Sequence, residues 1–251
     1  MLNAERRQVI LEILKRDGRV LASELSLSLN VSEDTIRRDL REMGEAGLIQ
    51  RVHGGALPLS PEISPFSTRQ ENISQAKIRI GKAAAALIKD GQIALLDGGT
   101  TALEVARHLP SNLKATIVTN SPPVAIALAQ HPAIELIMLG GQLYKESLVT
   151  VGPATLEALN MIRADLYLLG ICSLHRHIGI STPELQEAYI KRAMIACSSE
   201  VVALASAEKL GTASSYVVGP ITELTHIVTE KNLNEEILAP YRSLGITIIE
   251  A

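Results

Sequence analysis

The sequence predicts an α/β protein in two parts: an N-terminal winged helix-turn-helix, then a larger, mostly parallel, Rossmann-like α/β domain. Three observations carry this. Helical patterns and a strand-turn-strand fill the first 57 residues, a stretch dense in proline and serine follows, and apolar strand segments alternate with helical ones from there on.

From Ala4 to Lys15 the apolar residues Val9, Ile10, Ile13 and Leu14 recur at helical spacing, with Asn3 as a candidate N-cap and Asp17-Gly18 as a stop signal. Leu25 to Leu29 alternates like a strand, yet Ala22, Leu25 and Leu29 share one helical face. A five-residue strand between two helices would lack a pairing partner, so the expectation is a short helix ending near Asn30. A third helix opens at Ser32, whose hydroxyl can cap free amides, with Glu33 and Asp34 at the positive end of the dipole and Ile36, Leu40 and Met43 as the buried stripe. Leu48 to His53 reads as a strand, Gly54-Gly55 as a turn and Ala56-Leu57 as the returning strand, together a wing. The expected domains are 1–57, a linker over 58–75 in which three prolines and three serines between Pro58 and Thr68 break any periodicity, and an α/β domain over 76–251. Its strands are expected at Ile93 to Asp97, Thr116 to Asn120, Ile134 to Gly140, Leu166 to Gly170, Val201 to Ser206, Ile227 to Thr229 and Thr247 to Glu250. Between them lie helical stretches such as Ala76 to Lys89, Pro122 to Gln130, Leu185 to Cys197 and Leu233 to Leu244. Strands this apolar, joined through helices, belong to a sheet covered on both faces.

Composition narrows the function. No apolar run approaches the roughly 20 residues of a membrane span, and the N-terminus runs straight into a charged helical pattern, so a soluble, cytoplasmic chain without membrane partners is expected. Cys172 and Cys197 are expected to remain reduced. The formal charge of −3 excludes a protein that coats nucleic acid by bulk positive charge. Up to Leu57 nine Lys/Arg balance nine Asp/Glu, so any DNA binding must be local, and four of those cations fall between Arg37 and Arg51.

Once Ile36, Leu40 and Met43 face inward, the third helix exposes Ser32, Glu33, Thr35, Arg37, Arg38 and Arg41. Arginine can fork onto guanine, and hydroxyls suit phosphates or base edges. Arg51 and His53 on the wing are candidates for phosphate or the minor groove. The competing reading is a solvated face whose arginines pair with Glu42 and Glu45.

Arg6, Ile10 and Leu14, then Ser32 and Thr35-Ile36-Arg37-Arg38-Asp39-Leu40, then Gly47-Leu48-Ile49-Gln50-Arg51-Val52-His53-Gly54-Gly55-Ala56 closely resemble the N-terminal pattern of the DeoR family of bacterial regulators. The resemblance implies a sequence-specific transcription regulator, a repressor of carbohydrate catabolism genes, with double-stranded operator DNA as partner. Matching two half-sites further leads to the expectation of a homo-oligomer, a dimer or tetramer.

In the second part, Asp97-Gly98-Gly99-Thr100-Thr101 lies between an apolar strand and a helix, where amides and hydroxyls suit an anion. Thr119-Asn120-Ser121 and Gly140-Gly141 are expected to open on the same carboxyl edge of the sheet, making three polar strand ends. Glu187 and Lys191 form an i,i+4 pair that most simply stabilises its helix, with Glu187 also a candidate for the ligand site. Cys172, His175 and His177 put metal-type donors on one loop, but no fourth ligand is apparent, and neither a metal nor another cofactor is expected.

From about Ile78 onward, with Gly152-Pro153-Ala154, Gly170 and Lys191-Arg192-Ala193-Met194-Ile195, the chain resembles the DeoR-family sensor domain, related in fold to ribose-5-phosphate isomerase and binding phosphorylated sugars. The resemblance implies phosphate and polyol contacts at Asp97 to Thr101, ligand orientation by Asn120 and an anion contact by Lys209. The chain departs from the family twice. Gly170-Ile171-Cys172-Ser173-Leu174 stands where a Gly-Ala-Asp-Gly-type segment is common, and Ser206-Ala207-Glu208-Lys209 where Asp-Ser-Ser-Lys is usual. The missing aspartates remove candidate general bases, so no catalytic residue and no enzyme is expected.

Overall fold

A computed structural model describes residues 2–58 and 64–251. The first helix, α1 (Asn3–Asp17), begins one residue earlier than its pattern suggests: Asn3 lies inside it, and the Leu2 amide donates to Glu5 at 3.0 Å. A two-residue strand, β1 (Val20–Leu21), precedes α2 (Ala22–Leu29), so the Leu25 to Leu29 stretch is helical. α3 (Glu33–Glu45) is capped by Ser32, whose hydroxyl accepts from the Thr35 amide at 3.2 Å. The wing is β2 (Ile49–Val52) and β3 (Gly55–Pro58), antiparallel with Val52 opposite Gly55, and β1 joins the far side of β3. Ile10, Leu14, Leu25, Ile36, Leu40 and Met43 close a core of their own beneath these elements.

The expected linker is not structureless. Residues 59–63 lie outside the described residues, but α4 (Phe66–Glu71) follows them, and the Phe66 side chain is 2% exposed. Next come α5 (Gln75–Ala85), β4 (Ile93–Leu96), α6 (Thr100–Arg107), β5 (Thr116–Thr119), α7 (Pro122–Leu128) and β6 (Glu135–Met138). A hairpin of β7 (Gln142–Tyr144) and β8 (Val149–Val151) leads to α8 (Pro153–Asn160) and β9 (Ala164–Gly170). The chain continues through β10 (Ser173–His175), β11 (Gly179–Thr182), α9 (Leu185–Ala196), β12 (Ser198–Leu204), β13 (Tyr216–Gly219), β14 (His226–Thr229), α10 (Glu235–Arg242) and β15 (Thr247–Glu250).

The main sheet has seven strands in the order β15-β14-β12-β9-β4-β5-β6, every neighbouring pair parallel. Side-chain alternation divides it cleanly. Ala94, Leu96, Leu168 and Leu204 pack with Ile80, Val105 and Val124, while Leu95, Tyr167, Leu169 and Ala203 pack with Ile190, Met194 and Leu238 on the opposite face. From β4 the order runs to β5 and β6 on one side and to β9, β12, β14 and β15 on the other, so β4 and β9 flank the topological switch point. β10, β11 and β13 form a separate antiparallel sheet. Among the described residues no helix is long and apolar enough to cross a membrane.

His175 ends β10 buried, and its Nδ1 accepts from the amides of His177 (3.2 Å) and Ile178 (3.3 Å). Burial, then His177 and Arg176, push its imidazole down to about 4. The unfolded chain, with a histidine near pKa 6.5, therefore takes up this proton first. His175 should contribute full stability above about pH 6.5 and lose on the order of 2–3 kcal/mol as pH falls toward 4. Urea unfolding across that range should show the slope, and His175→Asn, which keeps an acceptor for both amides, should flatten it.

Candidate functional site

Two places concentrate polar side chains that the core does not need. The first is the outer face of α3 with the wing. Ser32, Arg37, Arg38, Arg41, Arg51 and His53 are exposed and Glu33 and Thr35 half-buried. The Ser32 and Thr35 hydroxyls are hydrogen-bonded at 2.8 Å, and Arg37 is bound to Glu33 at 2.8 Å, so for Arg37 the solvated-pair reading applies, with a different partner from the one expected. Glu42 pairs instead with Arg7. Among the described residues Arg38 and Arg41 carry no ion pair, and the Arg51 stem crosses α3 at Gly44, where an added Cβ would come within 2.8 Å of it.

Asp39, on the inner side of α3, is 2% exposed and bound to Arg6, with Arg7 also within 3.6 Å. This ion pair fixes the roll of α3 on α1 and hence which arginines face outward. Removing the carboxylate with Asp39→Ala leaves Arg6 buried without its counter-charge, an expected loss of about 3–5 kcal/mol measurable by chemical denaturation.

The second place is a cleft at the carboxyl ends of β4, β9 and β12. Asp97 sits at its floor, 2% exposed, with both oxygens occupied. Oδ1 accepts from the Gly98 amide (2.8 Å), while Oδ2 accepts from Lys191 Nζ (2.5 Å), the Gly170 amide (2.9 Å) and the Tyr167 hydroxyl (3.1 Å). Lys191 also donates to the Gly170 carbonyl at 3.1 Å. Burial alone would lower the Lys191 ammonium, but Asp97 and Glu187 outweigh it and hold the pKa above its usual value. Burial, reinforced by Asp97, raises the Tyr167 hydroxyl well above its usual range. Lys191 is thus bonded to Asp97 rather than paired along its helix with Glu187, which instead accepts from the Thr182 hydroxyl at 3.1 Å.

Close approach dictates two of the glycines here. A Cβ at Gly98 would lie 2.1 Å from Val149, and one at Gly170 would lie 2.7 Å from the Gly98 carbonyl. Gly99, at φ +103°, takes a left-handed conformation that swings the chain into α6. The first-turn amides of that helix, from Thr100 and Thr101 on, have no intrahelical acceptors and open toward the cleft.

Gly98, Gly99, Thr100, Thr101, Glu187 and Lys209 line this cleft as expected from the sequence. Thr119, Asn120, Ser121, Gly140 and Gly141 do not. Thr119, Asn120 and Ser121 are buried beneath the β7–β8 hairpin, where the Asn120 side-chain amide donates to the Thr150 carbonyl at 2.9 Å, and the Gly140 carbonyl accepts from the Thr155 hydroxyl at 2.7 Å. The reason is the sheet order: the switch point lies between β4 and β9, so the cleft gathers the ends of β4, β9 and β12 rather than those of β4, β5 and β6.

Arg69 from α4, Lys77 from α5, and Ser147 and Val149 from the hairpin complete the wall. Neither Arg69 nor Lys77 is a candidate from sequence; the one signal was Phe66, the only phenylalanine of the chain, standing in an expected linker. Four cations line the cleft, Arg69, Lys77, Lys191 and Lys209, against two carboxylates, Asp97 and Glu187, a formal excess of two positive charges. Burial lowers the Lys209 ammonium, and repulsion from Lys77 and Arg69 adds to the effect. Among the described residues no three His, Cys, Asp or Glu side chains are placed to hold a metal ion.

The Asp97–Lys191 pair makes a direct test. Asp97→Asn should cost about 3–5 kcal/mol by stranding a buried ammonium. Adding Lys191→Met should recover at least about 1 kcal/mol in a double-mutant cycle; strict additivity would show that the two charges are not coupled.

Known proteins match both places. The family described as DeoR-like helix-turn-helix domain matches residues 6–62, and the DeoR C terminal sensor domain matches residues 72–231. The HTH-type transcriptional repressor GlcR of Bacillus subtilis is 35% identical over 237 residues, 94% of this chain and 91% of that protein. The HTH-type transcriptional regulator GlpR of Haloferax volcanii is 34% identical over 253 residues, 100% and 98% of the two chains. The glycerol-3-phosphate regulon repressor of Escherichia coli is 33% identical over 231 residues, 92% of each chain. Among solved structures, the full-length sorbitol operon regulator SorC of Klebsiella pneumoniae aligns over 95% of this chain and 98% of its own at 12% identity and TM-score 0.41. Ribose 5-phosphate isomerase A of Methanocaldococcus jannaschii aligns over 53% and 52% at 18% identity and TM-score 0.39.

Proposed function

The chain belongs to the DeoR family of transcriptional regulators, and on that premise we propose that it is an operator-binding repressor of carbohydrate catabolism genes, controlled by a phosphorylated sugar bound in the cleft between β4 and β9. The observation that carries the effector is charge. Lys191 is neutralised by Asp97, and the excess of two positive charges that remains matches a phosphate monoester, which carries about −1.5 to −2 at neutral pH. The amides opening at Gly99 to Thr101 supply the complementary dipole end. Two relatives, a transcriptional repressor and a glycerol-3-phosphate regulon repressor, support the same reading.

The protein binds this ligand without turning it over. Both Asp97 oxygens are bonded and Glu187 accepts from Thr182, so neither carboxylate stands ready as a general base. On the DNA side Arg38 and Arg41 are the principal readers, with Ser32 and Thr35 at the helix start and Arg51 and His53 on the wing as further contacts. The working form is a cytoplasmic homodimer or tetramer that addresses paired half-sites.

Gel shifts on the gene's own upstream DNA, titrated with glucose 6-phosphate and glycerol 3-phosphate, test the proposal. One of them should move operator affinity by roughly 5- to 150-fold, the span of typical allosteric coupling. Arg38→Ala should weaken operator binding by about 1–3 kcal/mol while the ligand-induced rise in melting temperature persists. Steady product formation from a sugar phosphate by the pure protein would overturn the non-enzymatic reading.

A further inference from the structure

Arg69 differs from the other cations of the cleft in where its chain leads. α4 is the first described element after the wing, and the eight residue steps from Pro58 to Phe66 span at most about 28 Å.

The helix is held to the α/β domain at few points. Phe66 is buried, and its amide donates to the Glu146 carbonyl at 2.8 Å, in the turn between β7 and β8. The Arg69 guanidinium lies 5.9 Å from the Phe66 ring centroid, and its one hydrogen bond among the described residues is a long one of 3.5 Å to the same Glu146 carbonyl. Its Nε is buried with no partner among the described residues. A guanidinium carries five donors in a plane, and a desolvated donor without an acceptor is a standing cost to the fold. The head group faces the cleft that also holds Lys77, Lys209 and the Gly99 to Thr101 turn, beside Ser147 and Val149 of the same hairpin. Neither carboxylate of that cleft is paired with it: Asp97 is bound to Lys191, and Glu187 accepts from the Thr182 hydroxyl.

We propose that Arg69 binds the effector's phosphoryl group directly, and that effector binding thereby clamps α4, the first described element after the wing, onto the α/β domain. The proposal rests on the anion site described above and adds the route by which its occupancy reaches the helix-turn-helix. Differential binding to two states is what coupling requires, and here the two states are α4 anchored through Phe66 alone and α4 anchored through Phe66 and the ligand.

Hydrogen exchange on the full chain, with inorganic phosphate as the probe and sodium chloride at matched ionic strength as the control, tests it. In the unmodified protein phosphate should slow exchange in peptides covering both 98–103 and 66–72. In Arg69→Ala it should still slow 98–103 while 66–72 is no longer affected, and phosphate affinity should fall about tenfold or more. Arg69→Lys, a smaller perturbation of packing, should recover part of the affinity through its charge and less of the 66–72 protection, since it lacks the planar fork. Protection of 98–103 without 66–72 in the unmodified protein, or equal protection and affinity in Arg69→Ala, overturns the clamp and leaves the anion site standing. Absence of protection at both segments overturns the anion site itself, and the clamp with it.

Discussion

The buried contact between Asp97 and Lys191 is the constraint on which the α/β domain is organised. It joins the end of β4 to α9, and through the Gly170 amide and carbonyl and the Tyr167 hydroxyl it fastens the end of β9 to the same point. Two charges in a site this closed persist only when nearly every lone pair and proton is used, which these four bonds achieve. The consequence for chemistry is a division of labour. Asp97 is taken up by its neighbours, and in the proposed mode the ligand is met by cations on surrounding elements and by the amides of the Gly-Gly-Thr-Thr turn. The close approach of β9 to this point also explains the glycine at 170, since a Cβ there would lie 2.7 Å from the Gly98 carbonyl and 3.3 Å from Asp97 Oδ2.

A smaller version of the same device orders the helix-turn-helix. Its net charge is zero, yet that neutrality is unevenly spread. Asp39 and Glu42 are consumed by Arg6 and Arg7, Glu33 by Arg37 and Asp17 by Arg16. What remains exposed and without an ion pair on the outer face of α3 is Arg38 and Arg41 at its middle, with Asp34 and Glu45 toward its two ends. Local placement, rather than the sum of charges, decides which cations a neutral module leaves without a partner.

Much of the architecture is legible in the sequence. The apolar runs of β4, β5, β9, β12 and β14 announced a buried parallel sheet, and Ser32 with Ile36, Leu40 and Met43 announced the helix that carries the exposed arginines. What escaped were elements whose identity depends on a distant partner. β1 is two residues long and is a strand only because β3 lies beside it. β7 and β8 are three residues each, and Gln142, Tyr144 and Thr150 interrupt any apolar signature. α4 sat among prolines and serines, a composition that reads as linker whether or not a buried Phe66 anchors it.

The sequence by itself determined the two-part organisation, the strand and helix alternation, the outward face of α3 and the Gly-Gly-Thr-Thr turn after β4. These follow from periods of two and 3.6 residues and from turn chemistry, which act over a few positions along the chain. Only the tertiary structure decided which strand ends meet, that Asp97 answers to a lysine 94 residues away, and that Arg69 from the connecting segment reaches the same cleft. Strand order is a property of long-range pairing: the β4–β9 neighbourhood places the switch point, and no local spacing encodes which strand will lie beside β4. The Gly-Gly-Thr-Thr turn after β4 was therefore visible as a motif, while the cations that line the cleft with it became visible only once the sheet was assembled.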